Sequence, residues 1–187
     1  MDAFSYLSVL LSIILGLAIT QVLKGFRGLM QTRSRLRPYW PAVAWAILVL
    51  VIAVQSWWAM FGLRQRVDWT FFEFSVVLAQ TIVVYLLAAL VLPDFFGDAT
   101  VDLREHYYAN HRWFFALAVL LIVISVGKEF LLAGRMPEPL NLGFQATFAT
   151  LSAGAVSTRN ARYHELATVT AAIGIGAYIG VLFTHLG

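Results

Sequence analysis

The sequence predicts an all-α, polytopic membrane protein, a six-transmembrane-helix bundle without a soluble domain of any size. The 187 residues are 60% hydrophobic and 12% charged, whereas soluble domains are about 45–50% apolar and about 25% charged. A water-soluble fold cannot hide that much apolar surface. Apolar stretches also recur at the length of about 20 residues that a helix needs to cross about 30 Å of hydrocarbon.

Six stretches are predicted to span the membrane: residues 4–23, 39–63, 71–92, 113–133, 140–157 and 166–186. The first has no basic segment before it and no cleavage site after it, which favours a retained helix over a signal peptide. The fifth is short and rich in small residues, so a re-entrant segment is the alternative to a tightly packed span. Asp98 or Thr100 can cap a helix, which predicts a cytoplasmic interfacial helix over 98–111 or an extension of the fourth span.

The positions of the basic residues predict the orientation. The first, third and fifth loops carry nine of the thirteen Lys and Arg residues: Lys24, Arg27, Arg33, Arg35, Arg37, Arg104, Arg112, Arg159 and Arg162. The positive-inside rule then places these loops in the cytoplasm and both termini outside, in the inner or plasma membrane. Arg33, Arg35 and Arg37 are also candidates for binding anionic lipid headgroups, at about 1 kcal/mol each near the surface.

Buried amides are the first candidates for a functional site. Gln55 and Gln80 flank the short second loop almost symmetrically, so neighbouring antiparallel helices carry them at similar depth, and Gln21 and Gln145 lie in two further spans. Such amides either hydrogen-bond each other, a contact worth about 0.6 kcal/mol on average, or line a polar cavity. Both interpretations remain open from the sequence.

Three ionisable residues lie near the outer ends of spans: Glu73, Lys128 and Glu129. Ionisable groups within spans are functional candidates by default, although long side chains near a helix end can also reach the headgroups. Glu73 and Lys128 are expected at similar depth, where they could pair across helices.

Small residues mark faces where helices make close contact. The sixth span carries Gly176 and Gly180 in a stripe that also holds Thr168, Ala172 and Thr184, and the first and fifth spans carry Gly16 and Gly154 on similar faces. One interpretation is packing of helices one, five and six against each other. The other is an interface with a second copy or with a partner membrane protein.

The sequence offers little for catalysis or cofactor binding. It has no cysteine and no phosphate-binding loop, dinucleotide fingerprint or zinc-protease motif. His106 and His111 do not share a helical face, and His111 and His164 could meet at the start of two spans, but no carboxylate pattern accompanies them. We therefore expect no cofactor, no metal, no nucleic-acid partner and no enzymatic activity.

Three hypotheses for the function remain. The first is a channel or transporter, as a homo-oligomer or a single chain, for an ion or small polar solute, with candidate pathway residues Gln21, Gln55, Glu73, Gln80, Lys128 and Glu129. The second is a non-transporting membrane subunit or scaffold that binds lipid or a partner membrane protein. The third is an intramembrane enzyme or cofactor-binding protein. In each case the lipid bilayer is the first partner.

Overall fold

The structure, a computed structural model, describes residues 3–66, 68–94 and 100–182, and these form a bundle of six helices. The helices are α1 (Ala3–Gln31), α2 (Trp40–Met60), α3 (Phe71–Leu90), α4 (Leu103–Ala133), α5 (Pro139–Ser157) and α6 (Ala161–Leu182). All of them except α5 are long and apolar enough to cross a membrane. The protein is therefore a helical, multi-pass membrane protein. The predicted end of the sixth span, residues 183–186, lies outside the described residues.

The first helix is longer than the apolar stretch that predicted it. α1 continues past Leu23 to Gln31, because Lys24 and Arg27 limit how deep a helix can sit in hydrocarbon but are themselves good helix formers. Hydropathy therefore located the part of α1 that crosses the membrane and missed the last two turns of the helix.

The fourth helix begins ten residues before the predicted span, at Leu103. Its N-cap is Asp102, whose carboxylate accepts hydrogen bonds from the amides of Arg104 (2.9 Å) and Glu105 (3.1 Å). The predicted separate interfacial helix over 98–111 is wrong, because α4 runs unbroken from Leu103 to Ala133. The structure has the predicted alternative, an extension of the fourth span toward its N-terminus. Asp98, one of the two expected caps, lies outside the described residues.

The helices pack in an order that differs from the expected one. α3 lies against α1 and α4, α5 packs between α4 and α6, and α2 contacts α1, α3 and α6. The expected packing of helices one, five and six against each other is wrong for α1, which packs on α2 and α3. Small buried residues such as Ala42, Ala46 and Ala53 allow the close approach of α2 to its neighbours.

The loops gather at two ends of the bundle. Leu36–Arg37 (β1) pairs in parallel with Val101–Asp102 (β2), and the Arg159 guanidinium donates to the Tyr108 carbonyl (3.1 Å). The first, third and fifth loops therefore meet at one end, which we call the basic end. Arg66 in the second loop donates to the carbonyl of Leu132 (2.8 Å), so the second and fourth loops meet at the opposite end.

Candidate functional site

A polar cavity of about 440 Å³ lies among α2 to α6, toward the opposite end of the bundle. Gly62 and Leu63 of the second loop and Ala133 at the end of α4 contribute to its wall, so the cavity reaches the loops at that end. Its polar lining comprises Gln55, Ser56, Arg66, Gln80, Thr81, Ser125, Lys128, Glu129, Asn141 and Tyr178. Polar groups from five helices thus converge on one space inside an otherwise apolar bundle.

The cavity continues into a narrower, apolar pocket of about 140 Å³. Gln55, Ser56, Gln80, Ser125 and Tyr178 line both spaces, and the pocket walls beyond them are mainly aliphatic and aromatic: Val49, Ile52, Leu87, Ala118, Leu121, Phe148, Ile175 and Ile179. The combined space therefore has a polar outer part and an apolar inner part.

Aromatic rings close the pocket toward the basic end. Trp45 packs edge-on against Phe114 and Phe115, with ring centroids 5.4 and 5.2 Å apart, and Trp45 and Phe114 line the pocket itself. Such edge-to-face contacts hold each ring in a defined orientation. Along the bundle, the space therefore reaches the loops at the opposite end and stops at these rings toward the basic end.

The predicted pair of amides, Gln55 and Gln80, is brought together at this cavity. Both side chains are half-buried and line the cavity and the pocket. Within the part of the chain that the structure describes, they make no hydrogen bond to each other, so the amides are available to a bound molecule. Of the two interpretations from the sequence, this geometry favours the polar cavity.

The charged residues Lys128 and Glu129 also line the cavity. The Glu129 carboxylate accepts a hydrogen bond from the Asn141 amide (2.9 Å), and Asn141 in turn accepts one from the Gln145 amide (2.9 Å). The ammonium of Lys128 makes no hydrogen bond or ion pair with any described residue. The cavity therefore contains, beside the Glu129 carboxylate, an ammonium group that is not hydrogen-bonded to any described residue.

Gln145 gives the apolar pocket a polar group of its own. Its side chain is buried and lines the pocket, and its side-chain oxygen has no hydrogen-bond partner among the described residues. A buried acceptor without a partner costs about 1–3 kcal/mol. A bound molecule or water with a donor group would remove that cost.

Two of the predicted pathway residues lie elsewhere. Glu73 forms an ion pair with Arg66 and accepts hydrogen bonds from Thr70, in a capping box that starts α3. The expected pairing of Glu73 with Lys128 is therefore wrong, because local partners already surround the carboxylate. Gln21 lies between α1 and α3 toward the basic end, with its amide 3.5 Å from the Tyr85 hydroxyl.

Several lining residues were missed by the sequence analysis. Asn141 lies four residues before Gln145, which places both on one face of α5, and this spacing from a candidate amide could have identified it. Arg66 of the second loop was not a candidate from the sequence, yet it donates to the Asp68 and Leu132 carbonyls in addition to Glu73. Nothing in the sequence marked Tyr178 or the serines.

The predicted contact glycines behave in two ways. A Cβ on Gly154 would collide with the Tyr163 hydroxyl, so Gly154 does serve close packing of α5 on α6. Gly16, Gly176 and Gly180 are exposed, and a Cβ there would meet nothing within 4 Å. Their faces of α1 and α6 are thus uncovered in the single chain.

The three arginines predicted to bind lipid headgroups lie at the basic end. Arg33 and Arg35 belong to a short 3-10 turn after α1, and Arg37 lies in β1, 3.8 Å from the Asp102 carboxylate. Arg33 and Arg37 are exposed, so their side chains are accessible at the position where headgroups would lie.

The histidines at the basic end form a buried cluster with tyrosines. His111 and His164 pack edge-on with ring centroids 5.7 Å apart, and the Tyr107 hydroxyl is 2.9 Å from the Nδ1 atom of His164. Within the described residues, no group of three or more His, Cys, Asp or Glu side chains could hold a metal ion. His185 lies outside the described residues.

No protein-family model, curated protein or solved structure matches this chain. The class of the protein therefore rests on the fold and the site. Together they define a helical, multi-pass membrane protein with a polar cavity among its helices.

Proposed function

We propose that the protein is a small membrane transporter that binds a small polar solute in the cavity between α2 and α6, without a chemical step of its own. The observation that carries the proposal is the polar cavity, in which the Gln55 and Gln80 amides and the Lys128 ammonium make no hydrogen bond to any described residue. A space that is closed by Trp45 and Phe114 fits a binding state of a transporter better than an open channel.

The available groups indicate which solute fits. The Lys128 ammonium donates to anionic or strongly polar groups, the Gln55 and Gln80 amides donate and accept, and the Gln145 oxygen accepts. A solute that pairs with these groups removes the cost of leaving polar atoms unpaired inside an otherwise apolar bundle. The apolar inner pocket would hold an apolar part of the same molecule.

The proposed orientation follows from charge. All six helices span the inner or plasma membrane, α5 included, since its 19 residues extend about 28 Å at 1.5 Å per residue. The basic end faces the cytoplasm, where Arg33, Arg35 and Arg37 contact anionic lipid, and both termini face outward. The cavity then opens to the outside.

The absence of cysteine from the sequence provides a direct test of access to the cavity. A membrane-impermeant thiol reagent added outside intact cells should modify Ser125→Cys, which lines the cavity, and leave Val123→Cys unmodified, because Val123 is exposed on the lipid-facing side of α4. Equal modification of the two variants would contradict a water-filled cavity, and modification of Ser125→Cys only from inside would reverse the orientation.

Transport is tested in proteoliposomes with labelled small carboxylates, amino acids and polyols as probes. For a probe that the wild-type protein takes up, the double variant Gln55→Leu with Gln80→Leu should lower the uptake rate at least about tenfold, the effect of about 1.4 kcal/mol of lost binding. Gln21→Leu is the matched control, because this amide lies outside the cavity. Unchanged uptake by the double variant would refute the proposed path.

The alternative is a non-transporting subunit or scaffold, and the exposed glycines favour it. Gly176 and Gly180 form an uncovered, small-residue face on α6, the type of surface on which membrane helices approach closely. Gly176→Leu with Gly180→Leu should then abolish an assembly that cross-linking detects in native membranes. Gly127→Leu on α4, equally exposed and open, is the control. A chain that is monomeric in those membranes would contradict this alternative.

A further inference from the structure

A chain of three hydrogen-bonded side chains runs along one wall of the cavity. The Glu129 carboxylate on α4 accepts from the Asn141 side-chain amide over 2.9 Å, and the Asn141 side-chain oxygen accepts from the Gln145 amide over 2.9 Å. Glu129 and Asn141 line the polar cavity, whereas Gln145 lines the apolar pocket. The chain therefore connects the polar and the apolar part of the same space.

The carboxylate fixes the direction of this chain. A carboxylate only accepts hydrogen bonds, so Asn141 must turn its NH2 group toward Glu129. The Asn141 oxygen then faces α5's next turn, where it can only accept, so Gln145 must turn its own NH2 group toward Asn141. If the Gln145 amide were turned over, two acceptor oxygens would face each other. Each amide thus has a single favourable orientation.

The free end of the chain is an acceptor. Gln145 is 7% exposed, and its Oε1 atom has no hydrogen-bond partner among the described residues. Buried polar atoms in folded proteins are nearly always hydrogen-bonded, so an exception calls for a missing partner. Because the chain fixes the amide, the partner must be a hydrogen-bond donor.

The polar part of the cavity offers a separate anchor for an anion. The Lys128 ammonium lines this part and makes no hydrogen bond or ion pair with any described residue. Consecutive residues of a helix point about 100° apart, and the Glu129 carboxylate is held against α5 by Asn141. An anionic group can therefore reach Lys128 from another side than the one that Glu129 occupies.

The pocket has room for one apolar ring or a short branched chain. Its volume is about 140 Å³, and an apolar cavity of about 150 Å³ in another protein is known to hold benzene. Aliphatic walls such as Val49, Ile52 and Ile179 surround this space. An apolar body in the pocket would contact these walls and bring its edge to Gln145.

We propose that the solute of this cavity is a small anion whose apolar body carries one hydroxyl or N–H donor. Its anionic head binds Lys128, its body fills the pocket, and its donor bonds the Gln145 oxygen. Glu129 and Asn141 are positioning residues, which select a donor by holding that oxygen toward the pocket. The inference rests on the proposed function, because it concerns the solute of the same site.

The test is equilibrium binding to the full chain in lipid nanodiscs, with phenylacetate and its para-hydroxy, para-amino and para-fluoro derivatives as probes. The corresponding phenylpropanoates, one methylene longer, provide a second reach. Fluorine is close to a hydroxyl in size but cannot donate. The hydroxy and amino probes should bind at least about fivefold more tightly than the fluoro probe, the lower end of the effect of leaving a buried acceptor unpaired.

Variants assign this preference to the chain of side chains. Gln145→Met keeps the size of the side chain and removes the acceptor, so the hydroxy and fluoro probes should bind it equally well. In Glu129→Gln the new amide can donate as well as accept, so Asn141 and Gln145 can turn over and the preference should fall severalfold. The probes share one head group, so the lost charge at position 129 cancels in their affinity ratio.

Gln21→Leu is the matched control, because this amide lies outside the cavity, and it should keep the wild-type preference. If Gln145→Met does not fold, the hydroxy and fluoro probes on the wild-type protein decide. Equal binding of these two probes in both series would overturn the inference, since a water would then satisfy Gln145. So would a preference that survives Gln145→Met or Glu129→Gln, or a lack of binding by every probe.

Failure of the inference is distinguishable from failure of the proposed function. Binding is measured at equilibrium and needs no transport, whereas uptake of the same probes into proteoliposomes does. A donor preference in binding without uptake would refute transport and leave the inference standing. Uptake of probes without a donor preference would refute the inference and leave transport standing.

Discussion

Removal of the Tyr107 hydroxyl should destabilise the protein through His164. Tyr107 is 7% exposed and His164 is fully buried, and the hydroxyl donates to the Nδ1 atom of His164 over 2.9 Å. Tyr107→Phe keeps the ring and its edge-on contacts but leaves that nitrogen without a partner. An unpartnered buried acceptor costs about 1–3 kcal/mol, so we expect a loss of this size in the free energy of unfolding.

Tyr85→Phe is the matched control, because among the described residues the Tyr85 hydroxyl makes one long hydrogen bond, 3.5 Å from the half-buried Gln21 amide. That variant should lower the free energy of unfolding by less than about 0.5 kcal/mol, the lower end of the net contribution of a neutral hydrogen bond. Unfolding is measured in mixed micelles with increasing fractions of a denaturing detergent. A double-mutant cycle with His164→Phe should give a coupling energy of about 1 kcal/mol. Equal losses for Tyr107→Phe and Tyr85→Phe, or a coupling near zero, would refute the reasoning.

Two further predictions concern α1 and α3. A Cβ on Gly25 would lie 2.7 Å from the Leu92 Cδ1 atom, whereas one on Gly16 would meet nothing within 4 Å. In Gly25→Ala, overpacking should lower the free energy of unfolding by about 1–3 kcal/mol, and the higher helix propensity of alanine should raise it by about 1 kcal/mol. In Gly16→Ala only the stabilising effect of helix propensity applies. The free energies of unfolding of the two variants are compared by the same detergent titration. Equal stability of the two variants would contradict the close contact between Gly25 and Leu92. Thr70→Ala removes the side-chain oxygen that accepts a hydrogen bond from the Glu73 amide (3.2 Å). It should lower the free energy of unfolding by about 1 kcal/mol and speed hydrogen exchange at the Glu73 amide. Unchanged exchange at this amide would contradict the cap.

The sequence predicted well those features that depend on hydrophobic length and on short-range symmetry. Gln55 and Gln80 line one cavity because antiparallel neighbours joined by a short loop must bring residues at equal distances from that loop to the same depth. The bounds of α2 and α3 were close to prediction for a related reason: Pro41 starts one helix and the capping box at Thr70 starts the other. These are local signals.

The misses arose where a local partner or a distant loop took part. A pair between Glu73 and Lys128 was one of two interpretations of the sequence, but the carboxylate binds Thr70 and Arg66, which are nearer along the chain. The burial of His164 depends on Tyr107, which lies on another helix, and no spacing in the sequence encodes that contact. The order in which the helices pack could likewise not be predicted, because small residues mark a contact face but do not indicate which helix packs against it.

The short parallel pairing at the basic end has a consequence for biogenesis. Leu36–Arg37 is synthesised directly after α1, whereas its partner Val101–Asp102 follows only after α3. The first two helices are therefore made before this backbone pairing can form. Until the third loop has been translated, the amides and carbonyls of residues 36 and 37 must find other hydrogen-bond partners, because backbone polar groups are costly to leave unpaired.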